Sequence, residues 1–241
     1  SHASSFGTGG SVWVTCATLA GTGTVSAASG NYYTVDTNKG TALSGGSSGG
    51  RIALHYGSAA GATLTLDAHG SVAHGGSERI SSPAYPGTIY CSDDTLLSTE
   101  RVFGEWHSPT AAANGVTLAG GTWTNPHLGF RDTAVTVEGD LALEGEAAGA
   151  PGLFLSNVAF TVTGSLTLDA ARLMTRGGKV TVAGDFTQMT ADQQKPRLGG
   201  EFMIYAMPTN DPTALSGAEV EIGGHWRIKS GTTCQPKCHP S

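Results

Sequence analysis

Charged residues are scarce in this chain: they make up 13% of its 241 residues, where a globular protein usually has about a quarter. Acidic residues outnumber basic ones, and the formal net charge is −6. No cluster of Lys and Arg suited to phosphates is visible, so nucleic acid is not expected as a partner. Long apolar runs are also missing: no stretch of about 20 consecutive apolar residues occurs, and we expect no membrane span.

Helical periodicity is nearly absent as well. Apolar residues make up 39% of the chain. They alternate with polar ones at period two, as in residues 12–14, 64–66 and 180–182, which favours strands. The best helical candidate is Thr190 to Lys195, and Pro196 ends it. The sequence therefore predicts an ordered, all-β chain.

Glycine is what the chain has in excess, with 36 residues, or about twice the usual share. In the first part a Gly-Gly pair precedes an alternating strand, beginning at Gly9-Gly10 and again at Gly49-Gly50, and a similar phrase begins at Gly87. The steps from residue 10 to 50 and from 50 to 87 are 40 and 37 residues. Repeats of this size predict a stacked array.

A second phrase, apolar-x-apolar-x-Gly, recurs in the later part of the chain. Its turn glycines are residues 120, 139, 164, 184 and 223, with steps of 19, 25, 20 and 39. Such steps suit one turn of a parallel β-helix with glycine at its corners. The last step is about as long as two of the other steps together, so we expect two coils between residues 184 and 223. One of them is irregular and has residues 201–205 as its strand.

These patterns predict an all-β parallel β-helix, a solenoid with coils of about 20–40 residues and lateral loops. We expect a single domain over residues 1–241, with long glycine-rich coils at 1–92 and a lateral loop at 93–114. Lean coils follow at 115–230, and a Cys-containing tail at 231–241. A β-propeller is the other architecture considered, but its blades of about 40 residues are longer than the second phrase.

The first phrase reads Gly-Gly-Ser-Val-Trp-Val-Thr at 9–15 and Gly-Gly-Arg-Ile-Ala-Leu-His-Tyr at 49–56. Over roughly residues 6 to 91 it resembles the glycine-rich repeats of very large secreted and cell-surface β-helix proteins. The later phrase looks like generic adhesin-type β-helix repeats. The resemblance implies a right-handed, extracellular parallel β-helix with a structural or adhesive role. It carries over no catalytic residue.

The four cysteines fall into two pairs with different expectations. Cys16 and Cys91 sit at inward strand positions two coils apart, beyond the reach of a disulfide, and we predict buried thiols. Cys234 and Cys238 lie at the ends of one short turn, and we predict a disulfide between them. With His239 they would offer only three metal ligands, so no zinc site is predicted.

The strongest polar constellation joins the adjacent carboxylates Asp93 and Asp94 with four residues of the preceding loop: His69, His74, Glu78 and Arg79. A polysaccharide lyase or hydrolase on this fold would need clustered carboxylates, often with calcium, and a basic residue. The other interpretation is a solvated turn that closes a coil, and fold alone does not decide function. We expect no cofactor, with calcium as the only candidate considered for these residues, and we assign no catalytic residue and no metal site.

Four polar residues follow turn glycines at equivalent positions: Asp140, Ser165, Asp185 and His225. If the coils stack in register, these side chains line up along one edge. At such corners polar side chains usually bond to one another or to turn backbone. We therefore predict a structural ladder.

Tryptophan offers the remaining candidate site, because its ring can stack on a sugar. Trp106 and Trp123 flank the long lateral segment, and we name them as carbohydrate-contact candidates. Trp13 has outward parity if Val12 and Val14 face the core.

The function that these features favour is a non-enzymatic extracellular structural or adhesive β-helix. Its first phrase begins close to residue 7, with no amphipathic helix to cap the first coil. Uncapped strand edges pair readily with another chain, so we expect self-association end to end into a filament or as part of a longer array. The alternative is a protein that binds or degrades cell-surface polysaccharide.

Overall fold

The computed structural model describes residues 7–29, 47–70, 85–145, 152–189, 201–205 and 218–228. Of these residues, 64% are in strands and 4% in helix, and the sheet is mostly parallel. The prediction of an all-β chain is confirmed. The helical candidate at Thr190 to Lys195 lies outside the described residues.

The chain folds as two compact units, Ser1–Ser108 and Pro109–Ser241. The boundary falls inside the segment predicted to be a lateral loop of one domain. The described strands of the first unit are β1 Ser11–Thr18, β2 Gly21–Ser26, β3 Arg51–Ser58, β4 Ala62–Asp67, β5 Thr88–Cys91 and β6 Val102–His107.

Strands of successive repeats pair in parallel in the first unit. One series runs β1 to β3 to β5 to β6, and the other runs β2 to β4 to β6. The register aligns Val12 with Ile52 and Ile89, and Val14 with Leu54. Because strand side chains alternate between faces, these apolar residues share one face. Ile52, Leu54 and Ile89 are buried there.

A steric requirement explains the repeated Gly-Gly phrase. A Cβ on Gly50 would collide with the carbonyl oxygen of Gly10, and a Cβ on Gly87 would collide with that of Gly50. The same carbonyls accept hydrogen bonds of 2.9 Å from the Arg51 N–H and 3.0 Å from the Thr88 N–H. Glycine at this position therefore lets one repeat approach the backbone of the previous one.

The second unit contains one described helix and ten described strands. They are α1 Pro109–Asn114, β7 Val116–Thr124, β8 Leu128–Arg131, β9 Ala134–Glu144, β10 Gly152–Val162, β11 Leu166–Asp169, β12 Arg172–Val182, β13 Phe186–Met189, β14 Glu201–Tyr205, β15 Glu219–Ile222 and β16 Trp226–Ile228. One parallel series runs β9 to β11 to β13 to β16. Another joins β7, β9, β10 and β12, and β8 also pairs with β10.

The pairing in this unit stacks equivalent residues of successive repeats into apolar columns. Four residues in register form each column, one from each repeat, and all of them except Gln188 are apolar. The columns are Val135, Phe160, Val180 and Val220; Val137, Val162, Val182 and Ile222; Leu141, Leu166, Phe186 and Trp226; and Leu143, Leu168, Gln188 and Ile228. The first three members of each column are buried and form the core of the unit.

Two coils were expected between Gly184 and Gly223, and this expectation is wrong. Strand β13 pairs directly with β16, and β12 pairs with both β14 and β15, so a single repeat spans this stretch. Residues 201–205 do form a strand, as predicted. The glycine in register is Gly224, whose N–H donates to the Gly184 carbonyl at 2.9 Å.

The segment 93–114 is not simply a loop. It contains β6, which pairs in parallel with both β4 and β5. Its alternation is hidden in the sequence because Gly104 and Glu105 occupy buried positions. A Cβ on Gly104 would press into the side chain of Ile89, and this close packing explains the glycine.

The same segment contains α1, which the sequence analysis missed. Pro109 occupies the first helical position, where its missing N–H costs nothing. The helix ends at Asn114, and the next residue, Gly115, has φ of 75° and donates its N–H to the Ala111 carbonyl at 2.9 Å. The described part of the chain contains no helix long and apolar enough to cross a membrane.

Candidate functional site

Asp93 ties two repeats of the first unit together. Its carboxylate accepts a hydrogen bond of 2.9 Å from the Tyr56 hydroxyl and another of 2.9 Å from the Thr95 N–H. Burial alone would raise the pKa of Asp93, but the bonds from Thr95 and Tyr56 outweigh it and hold the pKa below its usual value. Burial and the bond to Asp93 raise the pKa of Tyr56. The pair therefore holds structure and is not poised to move a proton near neutrality.

Asp94, the next residue, faces different partners. Its carboxylate accepts hydrogen bonds from the Trp106 indole N–H, at 2.8 Å, and from the Ser108 hydroxyl. These bonds anchor the turn to β6 and to the residue that follows it. The two adjacent carboxylates therefore bind different partners: Asp93 binds Tyr56 of β3, and Asp94 binds Trp106 of β6.

His69 is engaged with a carboxylate that the sequence analysis did not name. Its Nδ1 lies 2.5 Å from Asp67 Oδ1. The hydrogen bond to Asp67 raises the pKa of His69, although burial works against it. His74, Glu78 and Arg79 lie outside the described residues. Among the described residues no three His, Cys, Asp or Glu side chains are grouped closely enough to hold a metal ion.

Trp106 and Trp123, the predicted sugar contacts, are buried. Trp106 is 1% exposed and pairs in register with Ile89, and Trp123 is 4% exposed and pairs with Leu143. Both rings therefore occupy the apolar face of their strands and offer no ring surface for a sugar. The sequence alone does not show this burial, because it does not reveal which residues of the neighbouring strands pair with Trp106 and Trp123.

Three aromatic side chains of the first unit lie on the strand face opposite to the buried apolar residues, and we call them the aromatic stripe. Trp13, His55 and Tyr90 stack with ring centroids 4.5 Å and 4.9 Å apart. Trp13 is 72% exposed, so its predicted outward parity is confirmed, and its indole N–H donates to the Thr15 hydroxyl at 3.1 Å. The sequence could have indicated that His55 and Tyr90 face outward, because each directly follows an apolar residue, Leu54 or Ile89, on the inward face of its strand.

The predicted polar ladder is present in the second unit. The Ser165 N–H donates to Asp140 Oδ1 at 2.7 Å, the Asp185 N–H to Ser165 Oγ at 3.2 Å, and the His225 N–H to Asp185 Oδ1 at 2.8 Å. The His225 N–H is the main cause that lowers the pKa of Asp185, and Arg227, at 3.0 Å, adds to it. The side chains of Asp140, Ser165 and Asp185 each accept a backbone N–H of the next repeat, so the ladder fixes register.

The cysteines of the described chain are free thiols. Cys91 is buried as predicted, and burial raises its pKa to about 12. Cys16 is only half-buried, because β1 is the edge strand of its series. The predicted disulfide between Cys234 and Cys238 lies outside the described residues.

The apolar columns end at exposed edges. We call β1 and β2 the N-terminal edge, and β15 and β16 the C-terminal edge. Val12 and Val14 are half-buried at the N-terminal edge. Trp226 is 45% exposed at the C-terminal edge and Ile228 is 47% exposed, whereas Phe186, one repeat inward, is 1% exposed.

Similarity to known proteins gives no functional assignment for these residues. Comparisons with models of protein families, with curated proteins and with solved structures found no match.

Proposed function

We propose that this chain is a non-enzymatic structural or adhesive element that works outside the cell or at its surface. In this proposal its parallel strands wind as a right-handed parallel β-helix, and its ends stack on further repeats. The register of both units supports winding, because equivalent residues recur in successive parallel strands. The exposed ends of the apolar columns support stacking and are the observation that carries the proposal.

The column ends differ from ordinary surface residues. Trp226 and Ile228 continue the columns of Phe186 and Gln188 in register. Another repeat placed on them would bury the same kind of surface that each inner repeat buries. The gain is about 25 cal/mol for each Å² of apolar surface removed from water.

Electron microscopy and sedimentation velocity over rising protein concentration test the proposal. We expect assemblies whose size grows with concentration, because end-to-end contacts repeat without closing. A strictly monodisperse monomer at the highest concentration would refute end-to-end stacking. Labelling intact producer cells with an antibody tests the location, and a signal seen only after lysis contradicts it.

The aromatic stripe of Trp13, His55 and Tyr90 favours polysaccharide binding as a second candidate function. The outer face of the Trp13 ring is open, and aromatic rings at that position can stack on sugar rings. The test is affinity electrophoresis against neutral and acidic polysaccharides. Trp13→Ala should remove any retardation, while Trp226→Ala, which also removes an exposed indole, should not. Equal retardation of the Trp13→Ala variant and the unaltered chain would exclude the stripe.

A further inference from the structure

At one position of the first phrase, no contact within the described chain requires the residue to be glycine. Gly10, Gly50 and Gly87 occupy the same position of three successive repeats. Gly50 and Gly87 are required because the preceding repeat presents a backbone carbonyl against them. A Cβ on Gly10 would meet no described atom within 4 Å, and none of the three glycines has a positive φ. The chain keeps glycine at Gly10 where neither space nor backbone conformation demands it.

The strands beside Gly10 lack the usual protection of a sheet edge. Strand β1 pairs with β3, and β2 pairs with β4; neither has a second partner among the described residues. Their sequences, SVWVTCAT and GTGTVS, contain no charged residue and no proline. Charged residues and proline are the means by which exposed edges avoid pairing with other chains.

The C-terminal edge is built differently. Strand β15 carries Glu219 and Glu221, which hold Lys179 at 3.0 Å and 2.8 Å, and β16 carries Arg227. The N-terminal edge is neutral, so no like charges would oppose contact between the two edges. Both edges present apolar side chains. These are the exposed Trp226 and Ile228 at the C-terminal edge, and the half-buried Val12 and Val14 at the N-terminal edge.

We propose that the N-terminal edge is an interface for a second copy of this chain, which docks through its C-terminal edge in parallel. The contact places a backbone carbonyl of the second copy against Gly10, as Gly10 is placed against Gly50. This inference rests on the proposed end-to-end stacking and specifies its contact. Because the two surfaces differ, the contact is heterologous and propagates from copy to copy.

Two variants block one edge each. Gly10→Val puts a side chain where the incoming carbonyl must lie, and its Cβ meets no described atom of its own chain within 4 Å. Ile228→Lys puts a charge on the exposed column end of the other edge. Gly7→Val is the matched control, because a Cβ on Gly7 also meets nothing within 4 Å, but Gly7 is outside the stacked position.

Sedimentation velocity of the full chain distinguishes the outcomes. We expect the unaltered chain and Gly7→Val to assemble, and Gly10→Val and Ile228→Lys each to sediment as a 24.4 kDa monomer. A 1:1 mixture of the two blocked variants should form a dimer and nothing larger, because each supplies the edge that the other lacks. At a dilution where the unaltered chain is also monomeric, circular dichroism should show the same melting temperature for Gly10→Val and the unaltered chain.

Three results would overturn the inference. If Gly10→Val assembles like the unaltered chain, or if the mixture of blocked variants stays monomeric, the contact is elsewhere. In both cases the proposed stacking function survives. If the unaltered chain itself is monomeric at all concentrations, the stacking function and this contact fail together.

Discussion

Leu168 and Ile228 belong to the same column, yet truncating them should have very different costs. Leu168 is fully buried between Leu143 and Gln188, whereas Ile228 is the last member and is 47% exposed. Replacing Leu168 with alanine removes buried methyl groups and leaves a cavity between two repeats. We expect a loss of about 3 to 4 kcal/mol in the free energy of unfolding.

Ile228→Ala should cost much less. About half of the side chain is already in water, and the space it leaves opens to solvent, so no closed cavity forms. A fully buried Ile is worth about 1.5 to 3 kcal/mol in transfer free energy. The expected loss for Ile228→Ala is therefore about 1 kcal/mol.

Urea denaturation followed by far-ultraviolet circular dichroism and by tryptophan fluorescence measures both values. The experiment should use dilute protein, where the chain is monomeric. Leu143→Ala is the control, because Leu143 is buried in the same column and should behave like Leu168. If Ile228→Ala costs as much as Leu168→Ala at this dilution, the C-terminal column is covered and the reasoning about open ends fails.

Three further predictions concern polar groups. Asp140→Ala should lower the free energy of unfolding by about 1 kcal/mol, because the Ser165 N–H loses its acceptor, and Asp140→Asn, which keeps an acceptor, should restore most of it. Native Cys91 should resist alkylation at pH 8, where its thiolate is rare, and react only after unfolding, as peptide mass spectrometry would show. Tyr56→Phe should destabilise the fold by about 1 kcal/mol at pH 7. Because the folded pKa of Asp93 is lowered, stability from that carboxylate is present above its unfolded pKa and is lost as the pH falls through the folded pKa. Acid titration of unfolding should show a smaller dependence in the Tyr56→Phe variant, and an equal dependence would contradict the assignment.

The stacking of the second unit could be predicted from spacing alone. The steps between turn glycines place Asp140, Ser165 and Asp185 at equivalent positions, and the structure confirms that they form a ladder. Spacing is sufficient here because residues in register on parallel strands are neighbours. It fails at Gly223, because an insertion within a repeat lengthens the step without adding a repeat.

The candidate site could not be predicted in the same way. Asp93 and Asp94 are adjacent in sequence, but their partners Tyr56 and Trp106 come from different strands, which only the fold brings near. A pair of carboxylates in a sequence does not show whether hydrogen bonds from Tyr and Trp already occupy them. Trp106 shows the same difficulty, because Gly104 and Glu105 disguise the strand that buries it.

The two units align their repeats by different means, and this difference bears on how a stack could continue. In the first unit the alignment is steric, because the glycines at positions 50 and 87 leave room for a backbone carbonyl of the preceding repeat. The same space beside Gly10 is unfilled in the described chain. In the second unit the side chains of Asp140, Ser165 and Asp185 each accept an N–H from the following repeat. The ladder reaches His225, whose Nδ1 lies 3.3 Å from Asp185 and so turns back toward the preceding repeat. Its side chain therefore does not extend the ladder outward, and a copy docking at the C-terminal edge would be aligned by the column ends Trp226 and Ile228.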